Sequence, residues 1–178
     1  GYRQRPDSDD PFHIYTHPSW REVIELAIHR TDRIVPAWPD APVHDPLAEC
    51  TERREWTDAA GSRFDETVIR AGGREFVRRC RRDPDVATSW TLEHPLKSEQ
   101  DLADWLELPA PEFAGPVDGE RALAVERDIG DGGVIRLETA DPLCVVAEMF
   151  DMEDYLVLAM TRPDLMHRAL QRVAGWLL

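Results

Sequence analysis

The run Ile34-Val35-Pro36-Ala37-Trp38, bounded by Arg33 on one side and Pro39-Asp40 on the other, decides the fold class. A short apolar run ending at a Pro-Asp break fits a buried strand that opens into a loop. Upstream, Ser19 and Glu22 have the spacing of a capping box. Trp20, Val23, Ile24, Ala27 and Ile28 then recur at three- and four-residue steps, which predicts an amphipathic helix ending near Arg30. Downstream, the 39–47 loop mixes Pro39, Pro42 and Pro46 with Asp40, His44 and Asp45. Rigid polar segments of this kind carry function on a scaffold. A second run of strand character, Val134-Ile135-Arg136-Leu137-Glu138, follows the turn Gly132-Gly133 and leads into Thr139-Ala140-Asp141-Pro142.

Between the two runs, Glu55-Trp56-Thr57-Asp58 and the 63–70 segment flank Ala59-Ala60-Gly61-Ser62, which predicts a hairpin that Gly72-Gly73 ends. Arg74, Arg78, Arg79, Arg81 and Arg82, extended by Arg70, form the one basic cluster. It reads either as a solvated helix face paired with the chain's acids or as an anchor for a polycarboxylate or phosphate, groups that arginine binds bidentately. Residues 90–97 look extended. Ser98 caps a helix carrying Leu102, Trp105 and Leu106, and a further helix over 117–129 stops at Gly130. Leu143 to Phe150 and Tyr155 to Met160 read as helices, and Thr161, Pro163 and Asp164 open a last one. The order is helix, strand, hairpin, helix, helix, strand, helices. Such alternation favours an α/β class with parallel strands and helical crossovers. Residues 1–17, with Pro6, Pro11, Asp7, Asp9 and Asp10, read as a loose arm before a single domain over 18–178.

The 178 residues are 42% hydrophobic and 31% charged, an ordinary globular composition that excludes a collagen, a disordered tail or a disulfide scaffold. No apolar run is long enough to cross a membrane. The first 30 residues lack the apolar core of a signal peptide, so a cytoplasmic location is expected. A net charge of −14 repels phosphate backbones and argues against nucleic-acid binding. All the basic residues are arginine except Lys97.

Cys50, Cys80 and Cys144 are too far apart for a zinc ribbon or a redox C-x-x-C pair. His13 and His17 lie between Pro11 and Pro18, a poor setting for two ligands on one helix face. No metal site is expected from this chain alone. The sequence has no Gly-x-Ser-x-Gly elbow, and Gly130-Asp131-Gly132-Gly133 precedes a strand, whereas the Rossmann turn follows one. What remains are the polar residues after the two strands. In parallel α/β folds the C-terminal ends of strands line the ligand crevice, and paired carboxylates there serve as general acid and base or bind a cation. Glu138 and Asp141 are therefore the catalytic candidates, and Trp38, Asp40, His44 and Asp58 the substrate-binding candidates. Asp141-Pro142 equally has the form of a helix start, with proline at the first helical position.

Several of these segments together resemble the uroporphyrinogen decarboxylase superfamily. The first helix with Arg33-Ile34-Val35-Pro36 is similar to that family's opening helix and first strand. Glu55-Trp56-Thr57-Asp58-Ala59-Ala60-Gly61 resembles the early hairpin of its methyltransferase-like branch, and Glu93-His94-Pro95-Leu96-Lys97-Ser98 with Asp101-Leu102 a segment frequent there. Val134 to Pro142 resembles the next strand and its loop, and Phe150 to Leu165 the helices that follow. Decarboxylases of the family carry Arg-Gln-Ala-Gly-Arg after the first strand, to hold substrate carboxylates. Here that place reads Trp38-Pro39-Asp40-Ala41-Pro42-Val43-His44 and holds no arginine.

The resemblance implies a (β/α)8 barrel, which takes about 250 residues. This chain opens on Gly1 and closes on Trp176-Leu177-Leu178 inside an amphipathic helix. It is expected to be the N-terminal half of such a barrel, with an early hairpin excursion and an exposed apolar face on its last helix. The activity implied is that of a corrinoid-linked methyltransferase or demethylase component, with a small-molecule substrate, a corrinoid-protein partner and a homodimeric assembly. Zinc would be held by His and Cys ligands in the second half, outside this chain. One alternative is a decarboxylase of uroporphyrinogen or another carboxylic acid that uses the 70–82 arginines. Another is a non-catalytic partial barrel that binds a partner through an apolar face.

Overall fold

The computed structural model describes residues 17–37, 41–84, 86 and 88–177, and for residues 176 and 177 the backbone alone. The 1–17 arm therefore lies almost wholly outside the described residues, as do Trp38 and Asp40. The chain is mixed α/β, without a closed barrel among the described residues. Its elements are α1 (Arg21–Arg30), β1 (Arg33–Ala37), β2 (Val43–His44), β3 (Thr51–Thr57), β4 (Arg63–Ala71), β5 (Arg74–Arg82), β6 (Ser89–Glu93), α2 (Glu99–Glu107), β7 (Glu112–Phe113), α3 (Glu120–Ile129), β8 (Gly133–Leu137), α4 (Pro142–Glu148), α5 (Met152–Thr161) and α6 (Pro163–Leu177).

The two apolar runs pair with each other. β1 and β8 lie parallel in a register that sets Arg33 beside Gly133 and Ala37 beside Leu137. Gly133 is what permits that approach, since a Cβ at this position would sit 2.2 Å from the Arg33 carbonyl oxygen. β2 and β7 form a two-residue antiparallel bridge. β3, β4, β5 and β6 make a four-stranded antiparallel meander.

The meander corrects the expected helix over the arginine cluster. Gly72 and Gly73 take φ of 60° and 75°. Two positive-φ residues between paired Ala71 and Arg74 form the two-residue hairpin loop that matches strand twist, so the chain reverses and β5 runs back along β4. A glycine pair between alternating segments is a hairpin signal, not a terminus.

One end of the meander joins the main core. Phe76, with Ile69 and Ala71, packs among Leu96 and Leu102 around α2, Val146 and Phe150 of the α4 region, Tyr155 and Leu158 of α5, and α6. Leu165, Met166, Ala169 and Val173 put the apolar stripe of α6 into this core, so the expected exposed apolar face of the last helix is overturned. The stripe finds its partners within α2, α4 and α5. On α5 it is the opposite side, with Leu156, Val157 and Met160, that faces solvent.

Helix starts follow local chemistry. The Ser98 hydroxyl accepts from the Asp101 amide at 3.1 Å while the Asp101 carboxylate accepts from the Ser98 hydroxyl, a reciprocal cap on α2. The capping box expected at Ser19 and Glu22 does not form. A single 3-10 turn over Pro18–Trp20 precedes α1, and the Ser19 hydroxyl instead bonds the ring of His17 at 2.8 Å.

Candidate functional site

The register of β1 and β8 fixes where their following loops begin. Because Ala37 and Leu137 are level, both strands end at the same height, and the Glu138 amide donates to the Ala37 carbonyl at 2.9 Å. Glu138 thus leaves the pair beside the end of β1. Trp38 and Asp40, which follow β1 in the sequence, lie outside the described residues.

Glu138 is partly exposed, and its carboxylate accepts from Arg136, with Nε at 2.9 Å. Arg136 lies on β8 and Glu138 directly past its end, two residues on, where the side chains meet. Arg136 was not among the sequence candidates, although that two-residue spacing marks it. The paired guanidinium gives the Glu138 carboxylate a fixed orientation.

Asp141 is placed as a cap. Its carboxylate accepts from the Leu143 amide at 2.7 Å and the Cys144 amide at 3.3 Å, and Pro142 occupies the first turn of α4. Two of the amides that a helix start leaves unsatisfied are held this way. The side chain is exposed. His44 is exposed on β2, opposite Glu112 of β7. Asp58 is a turn residue, whose carboxylate accepts from the Ala60 and Ser62 amides, both at 2.9 Å, and closes the β3–β4 loop. The structure thus brings Glu138 beside the end of β1, with Asp141 three residues on, and ties Asp58 to the meander turn.

Five of the six arginines of the cluster pair with carboxylates, and Arg82 donates to the Val86 carbonyl at 3.3 Å. Arg70 reaches Glu52 and Glu75, Arg74 reaches Asp101 and Asp104, Arg78 reaches Asp65, and Arg81 reaches Asp83. Arg79 binds Glu66 and Glu93, and Arg54 binds Glu66 from the other side at 2.6 Å. Glu66 is only 6% exposed. The hydrogen bond from Arg79 holds its carboxyl below the usual carboxylate range against the opposing effect of burial, and Arg54 adds to the same direction.

Among the described residues, no group of three or more His, Cys, Asp or Glu side chains is placed to hold a metal ion. Also among the described residues, no helix is long and apolar enough to cross a membrane. Comparison with known proteins finds no match, whether by family model, among curated proteins or among solved structures.

Proposed function

We propose that this chain is part of a uroporphyrinogen-decarboxylase-like barrel that serves corrinoid-linked methyl transfer in the cytoplasm. The observation that carries the proposal is the parallel β1–β8 pair with its level C-terminal ends, joined by the Glu138 amide and Ala37 carbonyl. In barrel enzymes that end of the strands is where the site is built. Glu138, oriented by Arg136, is the general base or hydrogen-bond acceptor of the mouth. Asp40, assigned by its sequence position, and His44 of β2 are the residues proposed to contact a neutral or cationic methylated substrate. Asp141 holds α4 at the rim. No step of the proposal passes through a metal held by this chain.

The decarboxylase alternative has less support. A substrate with several carboxylates needs unengaged cations, and Arg70, Arg74, Arg78, Arg79 and Arg81 are each bound by one or more carboxylates of the chain itself. The non-catalytic alternative draws on the apolar side chains that β1 and β8 leave in solvent, Ile34 and Val134 among them.

The test uses the product of the complete reading frame, incubated with cob(I)alamin and a panel of O-, N- and S-methyl compounds. Methylation of the corrinoid, followed by its absorption spectrum, is expected with at least one compound and is lost in Glu138→Gln. Conversion of uroporphyrinogen to coproporphyrinogen with no corrinoid methylation would replace this proposal with the decarboxylase. Activity toward neither, from a folded protein, would leave the partner-binding alternative.

A further inference from the structure

The face of the β3–β6 meander that carries Glu66 presents two cross-strand rows. In one row, Arg54, Glu66, Arg79 and Glu93 stand opposite each other on successive strands and are joined by ion pairs. In the next row stand Trp56, Phe64, Arg81 and Trp90. The Trp56 and Phe64 rings stack at 5.1 Å between centroids and 3° between planes. Trp56 is 41% exposed and Trp90 55%.

A bulge holds Trp90 in this row. The β5–β6 register passes from Arg79 opposite Glu93 to Cys80 opposite Thr91, which skips Leu92. Unbulged pairing would put Thr91 opposite Arg81; the extra residue brings Trp90 there instead. Bulges re-aim side chains in this way.

We propose that two copies of this chain associate through this face, about a two-fold axis that runs along the strands between β4 and β5. Such an axis reverses the strand order within each row. Trp56 then meets Trp90 of the second copy, and Phe64 meets its Arg81, a cation over an aromatic face. In the charged row, Arg54 meets Glu93 of the second copy, while Glu66 stays beneath its own Arg54 and Arg79. The sequence of signs, positive, negative, positive, negative, is its own complement when reversed, as a two-fold contact requires. The net charge of −14 opposes association at long range. Screening over about 8 Å at physiological salt leaves these local pairs to decide the contact. Aromatic and arginine side chains with few unpaired acids among them are the composition of interface centres. This inference stands apart from the methyl-transfer proposal, because the meander is a different sheet from the β1–β8 pair.

Sedimentation equilibrium on the full chain tests it. The wild type is expected to populate a dimer, and Trp90→Glu to weaken association by about thirtyfold or more, the scale of a lost aromatic anchor. Arg54→Glu and Glu93→Arg, made singly, each set like charges opposite one another and weaken the dimer. Combined, they restore opposite charges across the axis and recover association. Far-UV circular dichroism follows folding, and Arg81→Ser reads the same contact should Trp90→Glu unfold the sheet. A wild type that stays monomeric, a dimer indifferent to Trp90→Glu and Arg81→Ser, or a double swap no better than the single ones would each overturn the proposal.

Discussion

Replacing Asp141 separates the cap seen in the structure from the catalytic role that its sequence position suggests. The carboxylate satisfies the Leu143 and Cys144 amides at the start of α4, and α4 carries the fully buried Val146 into the core with Phe150 just beyond its end. Asp141→Ala orphans both amides. Loss of an N-cap costs about 1 kcal/mol, and loss of the negative charge at the positive end of the helix dipole adds about 0.5 kcal/mol. At roughly 2–4 °C per kcal/mol for a chain of this size, the melting temperature should fall by about 3–6 °C. Asp141→Asn keeps an acceptor at the cap and gives up only the charge, so it should fall by about 1–2 °C. Thermal unfolding followed by circular dichroism measures both. If Ala and Asn variants melt with the wild type, or if Asn is as damaging as Ala, the cap is not what Asp141 contributes. Turnover then adds the second axis. Asp141 as a cap alone predicts that Asp141→Asn keeps its activity, whereas an acid or base at this position predicts loss of activity in a stable protein.

Three further outcomes follow from the packing and charge. The Glu66 carboxyl is held low, first by the Arg79 hydrogen bond, so its contribution to stability is present above the ordinary value of 4.5 and is lost as pH falls through the lowered folded value. Glu66→Gln should therefore lower stability near neutral pH and flatten the acid side of the stability profile in urea titrations; an unchanged acid limb would contradict this. Gly133→Ala drives a Cβ into the Arg33 carbonyl and should uncouple β1 from β8, seen as faster amide exchange at Glu138 with little change in β4 and β5. Arg172 donates to the Leu106, Leu108 and Pro109 carbonyls at 3.1, 2.6 and 3.1 Å and lies over the Trp105 ring. Arg172→Lys cannot reach three acceptors and should cost about 1–2 kcal/mol in chemical denaturation, even though the charge is kept.

Much of the fold was legible where periodicity and punctuation agree. The two apolar runs form strands, Ser98 and Asp141 cap helices, and Gly130 ends α3. Parallel pairing across about a hundred residues of chain is a tertiary matter, yet the α/β alternation pointed to it. In the arginine stretch, charge density suggests a solvated helix face while the local geometry specifies a strand. Gly72-Gly73 between two alternating segments specified a hairpin, and long arginine side chains lie along a strand face as readily as a helix face when carboxylates stand opposite. Ser19 shows a limit of a different kind. A capping-box spacing needs the helix to begin at the next residue, and Pro18 instead favoured a tighter turn there. For the site, sequence position located Glu138 at a strand end, but only the register showed that end to be level with Ala37.

The charge of the chain bears on the proposed methyl-transfer substrate in two ways that reinforce each other. A net charge of −14 already disfavours an anionic ligand at long range. At short range Arg70, Arg74, Arg78, Arg79 and Arg81 already hold Glu52, Asp65, Glu66, Glu75, Asp83, Glu93, Asp101 and Asp104. Only at Glu66, which is 6% exposed, would freeing its arginine strand a buried carboxylate. Even at the end of the β1–β8 pair, Arg136 is engaged by Glu138. A methylated amine, ether or thioether asks for no unengaged cation, and a carboxylate such as Glu138 suits a substrate that is neutral or positive.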